Sequence, residues 1–301
     1  MANLAFYSTQ ADGSRTVQNR GDWQDLITNL DPDETPFWSV LKHRKVQDQN
    51  PKTLTDSLSA VDTANYHADG AVAPAAVSTA RAVVQNWAQN FRKVAAVSNE
   101  QIATAQYGLS NEYAYQKAKM GTQVLLDIEA TFVSDQARQA PAVANGRTPK
   151  ADGLSTIIST HTSSTFSQAN YETLAAAVWA DGGKPDVAYM SSAKLILVSA
   201  WTTTPTRFTT KIDELHKEVR LYHDPVMGPV KMIPHHLMPK DVDGTDGAHF
   251  AAIEPDLWEI CDFVRMTWEE LPDLGGGPSG QWRYSGCPLC RAEEGNLCFD
   301  A

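Results

Sequence analysis

Cys261, Cys287, Cys290 and Cys298, with His235, His236 and His249, are the residues whose types first suggest chemistry. Two thiols three apart, as in Cys287-Pro288-Leu289-Cys290, can form a redox couple or half a zinc site when they open a helix. Here Trp282, Tyr284, Leu289, Leu297 and Phe299 give strand-like surroundings, where positions i and i+3 point to opposite faces. Zinc also needs four ligands; Cys298 offers a third and no nearby histidine completes the set. The thiols therefore read as packing residues. His235 and His236 diverge if they lie on a strand, which disfavours a metal site taking both.

The remaining motifs have plain explanations. Asp241-Val242-Asp243-Gly244-Thr245-Asp246 begins like a calcium loop, but its twelfth position is Ala252 rather than a bidentate acid, so a solvated turn is expected. Asp181-Gly182-Gly183-Lys184-Pro185 lacks a phosphate-loop frame, and Pro185 has no N–H to donate, which favours a helix stop. Gly275 to Gly280 opens no helix, and the acid pairs Glu269-Glu270 and Glu293-Glu294 suit solvated charge. No Gly-x-Ser-x-Gly elbow occurs. The expectation is no catalytic, cofactor-binding or metal residue.

The elements that would position such residues are clearer. Pro32 and Pro36 bracket an acidic run before the bulky pair Phe37-Trp38, as in an arm that docks on something. Between Ser57 and Asn90 the only charged residues are Asp62, Asp69 and Arg81, with ten alanines, too little charge for a solvated linker. From Arg81 to Val97, alternation puts Val83, Trp87 and Phe91 on one face and Asn86, Asn90 and Arg92 on the other, so residues 52 to 97 are expected to form a long two-stranded excursion. From Ser110 to Arg138 the spacing of Met120, Val124, Ile128 and Phe132 predicts a long helix, capped by Ser110 and left before Pro141. Alternating helical and strand signals follow: helices at Tyr171 to Ala180 and Ser192 to Trp201, strands at Asp186 to Met190 and Phe250 to Ile253, and a turn at Met227-Gly228-Pro229.

With 301 residues, 42% of them hydrophobic and 20% charged, the chain has material for about two folded domains. It has no eighteen-residue apolar run to cross a membrane. The net charge of −11 has the wrong sign for neutralising many phosphates, which argues against sequence-specific nucleic-acid binding. The first ten residues have neither the basic start nor the apolar core of a signal peptide, so synthesis and folding in a cytoplasm are expected.

Several short motifs occur in a recognisable order. They are Pro32-Asp33-Glu34-Thr35-Pro36-Phe37, Thr55-Asp56-Ser57-Leu58, Val97-Ser98, Asp127-Ile128-Glu129, Gly183-Lys184-Pro185-Asp186, Gly228-Pro229-Val230-Lys231 and Arg291-Ala292-Glu293-Glu294-Gly295-Asn296. In that order the chain resembles the major capsid proteins of tailed bacteriophages, with the Hong Kong 97-type capsid fold. The resemblance implies an α+β chain: an N-terminal arm at 1–50, an extended loop at 51–100, a peripheral domain with a spine helix at 101–150, an axial α/β domain at 151–265, and terminal strands at 266–301 completing the peripheral domain. It implies a shell of hexamers and pentamers enclosing double-stranded DNA, assembled in the host cytoplasm and found in the virion. A portal protein, a separate scaffold chain and a cement protein are the expected partners. Phe37 and Trp38 on the arm, and Trp87 and Phe91 on the loop, are the expected inter-subunit contacts. In some relatives a loop lysine forms an isopeptide bond with a neighbour; no lysine lies between Thr53 and Arg92 here. Two other readings remain open: an encapsulin-type compartment shell, and a thiol- or metal-dependent enzyme using Cys287, Cys290 and Cys298.

Overall fold

The computed structural model describes residues 34–103 except 74, 76, 77 and 79, then 111–201, 208–212, 218–239, 249–272 and 276–299. The first thirty-three residues of the arm, the 241–246 acidic segment, Ser110 and Gly275 lie outside the described residues.

In chain order the first elements are α1 (Pro36–Val40), β1 (Lys42–Lys45), β2 (Lys52–Thr55), β3 (Ala82–Gln85), β4 (Gln89–Ala96), α2 (Asn99–Ala103), α3 (Glu112–Val133) and α4 (Leu154–Ile157). There follow β5 (Thr162–Ser163), α5 (Gln168–Ala180), β6 (Val187–Met190), α6 (Ser192–Ser199), β7 (Phe208–Ile212), β8 (Glu218–Asp224) and β9 (Gly228–Pro234). The last are β10 (Phe250–Ile253), β11 (Trp258–Leu271), β12 (Ser279–Cys290) and β13 (Leu297–Phe299).

Among the described residues the strands form three sheets: a four-stranded sheet in the order β1-β11-β12-β4, a seven-stranded sheet in the order β5-β13-β10-β6-β9-β8-β7, and a separate β2-β3 pair. The strands β6 (VAYM) and β10 (FAAI) are buried at every position, which is why they lack apolar–polar alternation. Their residues serve two cores in turn. Val187, Tyr189, Ala251 and Ile253 join the core of α1, α3 and α4, while Ala188, Met190, Phe250 and Ala252 join the core beneath α5 and α6.

The helix α3 is about 33 Å long at 1.5 Å per residue, and Val124, Ile128 and Phe132 form its buried stripe as the spacing predicts. Its bounds are tighter than expected. Asn111 caps it by accepting the Ala114 N–H, and it ends at Val133, well before Pro141, where the Ser134 hydroxyl and N–H both turn back onto the Thr131 carbonyl. Gly121 has a packing role: a Cβ there would stand 3.3 Å from the Trp282 indole, whose Nε1 donates to the Lys117 carbonyl at 2.7 Å. The helix stop at Asp181-Gly182-Gly183 is present, with Gly182 at φ 90°.

The structure corrects three expectations. The run from Arg81 to Val97 is two strands, not one; β3 pairs with β2, whereas β4 pairs with β12 in the body. The excursion is therefore residues 52–85. The expected boundary at 265 falls inside β11, which pairs antiparallel with β12 as far as Leu271 opposite Ser279. The terminal segment is also divided between sheets: β12 belongs to the four-stranded one, but β13 lies inside the seven-stranded one, paired with β10 and β5.

Candidate functional site

Because β3 and β4 are separate strands, the four expected contact residues end up in different environments. Phe37 has no exposed surface, and its ring meets Tyr189 and Trp258 edge-on at 5.6 and 6.0 Å. Phe91 is buried against Phe132 and Tyr284. A side chain already covered by its own subunit has no area left for a neighbour, so Phe37 and Phe91 are core residues rather than inter-subunit contacts. Trp38, stacked on Phe132 and edge-on to Tyr284, and Trp87, at the exit of the excursion, are each half-buried.

A buried carboxylate pins the arm to the body. Glu129 is on α3 one residue after Ile128, with no exposed surface. Its Oε1 accepts the Phe37 N–H and the His235 Nε2–H, both at 2.7 Å, and its Oε2 accepts the Trp38 N–H at 2.8 Å. His235 Nδ1 accepts the Leu237 N–H at 3.0 Å, which places the ring proton on Nε2, facing Glu129. Three charge-assisted bonds join α1, the spine helix and the end of β9. A glutamate beside an apolar helix stripe was the available signal, since Ile128, Phe132 and Val133 share its buried surroundings.

The strand β1 runs parallel to β11 and is fastened by side chains. Asp262 accepts the Tyr284 hydroxyl at 2.8 Å and lies 3.2 Å from His43 Nδ1, which pushes the His43 pKa above its ordinary value. Glu259 takes Arg44 on one oxygen and Arg291 on the other, both at 3.0 Å.

The excursion has a fixed root and an uncovered end. At its exit, Asn86 donates to the Pro288 carbonyl at 2.7 Å and accepts the Asp152 and Trp87 N–H groups at 2.8 Å. Arg138 Nη1 reaches the Gln85 carbonyl at 2.8 Å. A cleft of about 680 Å³, lined among others by Thr55, Asp56, Val83, Arg138 and Arg291, opens beside this root. Further out, Leu58 is 97% and Val61 91% exposed, with Tyr66 and Val72 also uncovered.

The thiols and imidazoles do not converge. Cys287 is opposite Cys261 across β11 and β12, not beside Cys290. Cys290 donates to the Ala292 carbonyl, and burial pushes its pKa up to about 12. Cys298 is buried in the main core. His235 faces inward and His236 outward, and His249 contacts the buried Ser155 hydroxyl at 3.2 Å. Among the described residues no group of three His, Cys, Asp or Glu side chains could hold a metal ion.

Spine helix, two-face-buried sheet and projecting hairpin together define a shell-subunit architecture, the Hong Kong 97-type capsid fold. The mature capsid subunit of bacteriophage PhiM1 shares it at a TM-score of 0.61 and 11% identity, covering 99% of this chain and 96% of that one. A structure from Mycobacterium phage Bobi aligns at a TM-score of 0.60 and 12% identity over 94% of this chain and 96% of the other. Residues 8–300 match the family model of the SU10 major capsid protein, and the chain belongs to that family. That family is one of major capsid proteins. The major capsid protein of Escherichia phage Phieco32 is 34% identical over 112 residues, 37% of this chain and 32% of that relative, so the match spans about a third of the relative's length.

Proposed function

We propose that the chain assembles with copies of itself, as hexamers and pentamers, into an icosahedral shell around the double-stranded DNA of a tailed phage. The observation that carries this is the hairpin of residues 52–85: its root is fastened to the body by Asn86 and Arg138, yet among the described residues nothing covers Leu58, Val61, Tyr66 and Val72. Such an element is ordered at low cost only when a neighbouring copy buries it. Repeated around a shell, modest contacts of this kind add through multivalency.

In this reading residues 1–50 act as the arm and 51–100 carry the extended loop. Residues 101–150 with β4, β11 and β12 form the peripheral domain, and 151–257 with β13 the axial domain. Trp38 and Trp87, half-buried on their own subunit, keep area for neighbours. A separate scaffold chain, a portal protein and a cement protein are its expected partners, with assembly in the host cytoplasm. The test is electron microscopy of the full-length protein, expressed with and without the scaffold gene of the same phage. Closed shells are expected from the intact chain, and none from a variant in which a short Gly-Ser linker replaces residues 58–78. Closed shells from that variant would refute the role of the hairpin.

A further inference from the structure

The thiol pair made by the β11–β12 register has no part in the shell reading. Cys261 and Cys287 are direct partners on the two middle strands of the four-stranded sheet. Both are buried in one small cluster with Val46, Ala151 and Leu289. Directly opposed residues of antiparallel strands share a face with Cα atoms about 4.5–5.5 Å apart, inside the window of roughly 4.4–6.8 Å that a disulfide spans. Arg44 Nη2 stands 3.5 Å from Cys261 Sγ. We propose that Cys261 and Cys287 are an oxidisable cross-strand pair, which hydrogen peroxide converts to a disulfide joining β11 to β12.

The two thiols have different parts. A hydrogen bond from Cys287 and the nearby Arg44 charge hold the Cys261 pKa below its ordinary value, while the same bond and burial hold Cys287 well above. Cys261 is thus the attacking thiolate. Its sulfur forms a bond to one peroxide oxygen, the O–O bond breaks, and the departing hydroxide takes up the thiol proton as water. Cys261 is then a sulfenic acid. The Cys287 sulfur attacks it, the S–S bond forms, the S–O bond breaks, and hydroxide leaves with the Cys287 proton as a second water. Two thiols and one peroxide give one disulfide and two waters. Peroxide is small enough to enter a packed cluster during local opening.

The test uses the full-length protein under native conditions. It is exposed to hydrogen peroxide, quenched with an alkylating agent in denaturant, and digested without reductant for mass spectrometry. The expected product is a cross-link of the Cys261 and Cys287 peptides, two hydrogens lighter than their sum, with accessible thiols falling from four to two and Cys290 and Cys298 still alkylated. The thermal midpoint should rise by several degrees and return on adding reductant. In Cys287→Ser, Cys261 should stop at the sulfenic acid, trapped by a dimedone probe. Four thiols surviving peroxide, a Cys290–Cys298 cross-link instead, or separate over-oxidation of Cys261 and Cys287 would each overturn the proposal. The wild-type peptide map decides even if the variant fails to fold.

Discussion

Replacing Glu129 by glutamine exchanges one carboxylate oxygen for an NH₂ group and should loosen the arm from the body. The carboxylate accepts two N–H groups on Oε1 and one on Oε2. In its better orientation the amide keeps its oxygen on Phe37 and His235 and turns its NH₂ toward the Trp38 N–H, donor against donor. One charge-assisted bond is lost, about 1.5–3 kcal/mol, and a buried donor is left unmet, about 1–3 kcal/mol. The two surviving bonds drop from charged to neutral acceptors, which adds roughly another 1 kcal/mol. The total, about 3.5–7 kcal/mol, is a large share of a typical folding free energy. With a urea slope of about 2–3 kcal/mol per molar, the midpoint of the soluble subunit should fall by roughly 1–3.5 M. Limited proteolysis should cut first near residues 34–41. Asp127→Asn, on the same helix but bridging Lys93 at the surface, is the control and should move the midpoint little. If E129Q and D127N gave the same midpoint, the three-bond account of the arm would be wrong.

Other outcomes follow from the same geometry. Phe37→Ala should cost the subunit itself about 3–5 kcal/mol by chemical denaturation, whereas Leu58→Ala with Val61→Ala should leave its stability within about 0.5 kcal/mol and lower the yield of shells counted by electron microscopy. His43 has a raised folded-state pKa, so its pairing with Asp262 stabilises fully below the unfolded value of about 6.5 and is lost as pH rises through the folded value. A melting-temperature profile across that window should therefore decline in the wild type and flatten in H43A. Mature particles should run as one subunit-sized band on a denaturing, reducing gel, because the one lysine of the excursion, Lys52, lies at its root and Lys93 is paired with Asp127; a ladder of covalent oligomers would contradict this.

Much of the framework was legible because it rests on local periodicity. The Val124–Ile128–Phe132 stripe marks α3, and the glycines after Ala180 mark the end of α5. What could not be read were pairings between distant segments. The alternation from Arg81 to Val97 continues through Asn86, and nothing local says that Asn86 turns inward to bond Pro288 two hundred residues away. Phe37 reads as a docking residue because it opens a bulky pair after a proline-bracketed acidic run with no local core, whereas its burial comes from the distant Tyr189 and Trp258. The Cys-x-x-Cys spacing drew attention to Cys290, but strand register gave Cys287 a different partner.

The position of β13 bears on how the subunit is born. It is an interior strand of the seven-stranded sheet, between β5 and β10, yet it is translated after every other strand of that sheet. Until Leu297, Cys298 and Phe299 leave the ribosome, β5 and β10 have open edges, and the cavity that Phe299 fills beside Phe166 and Phe250 stands empty. A nascent or prematurely terminated chain thus cannot finish this sheet. The order of strands makes completeness of translation a condition of a completed fold.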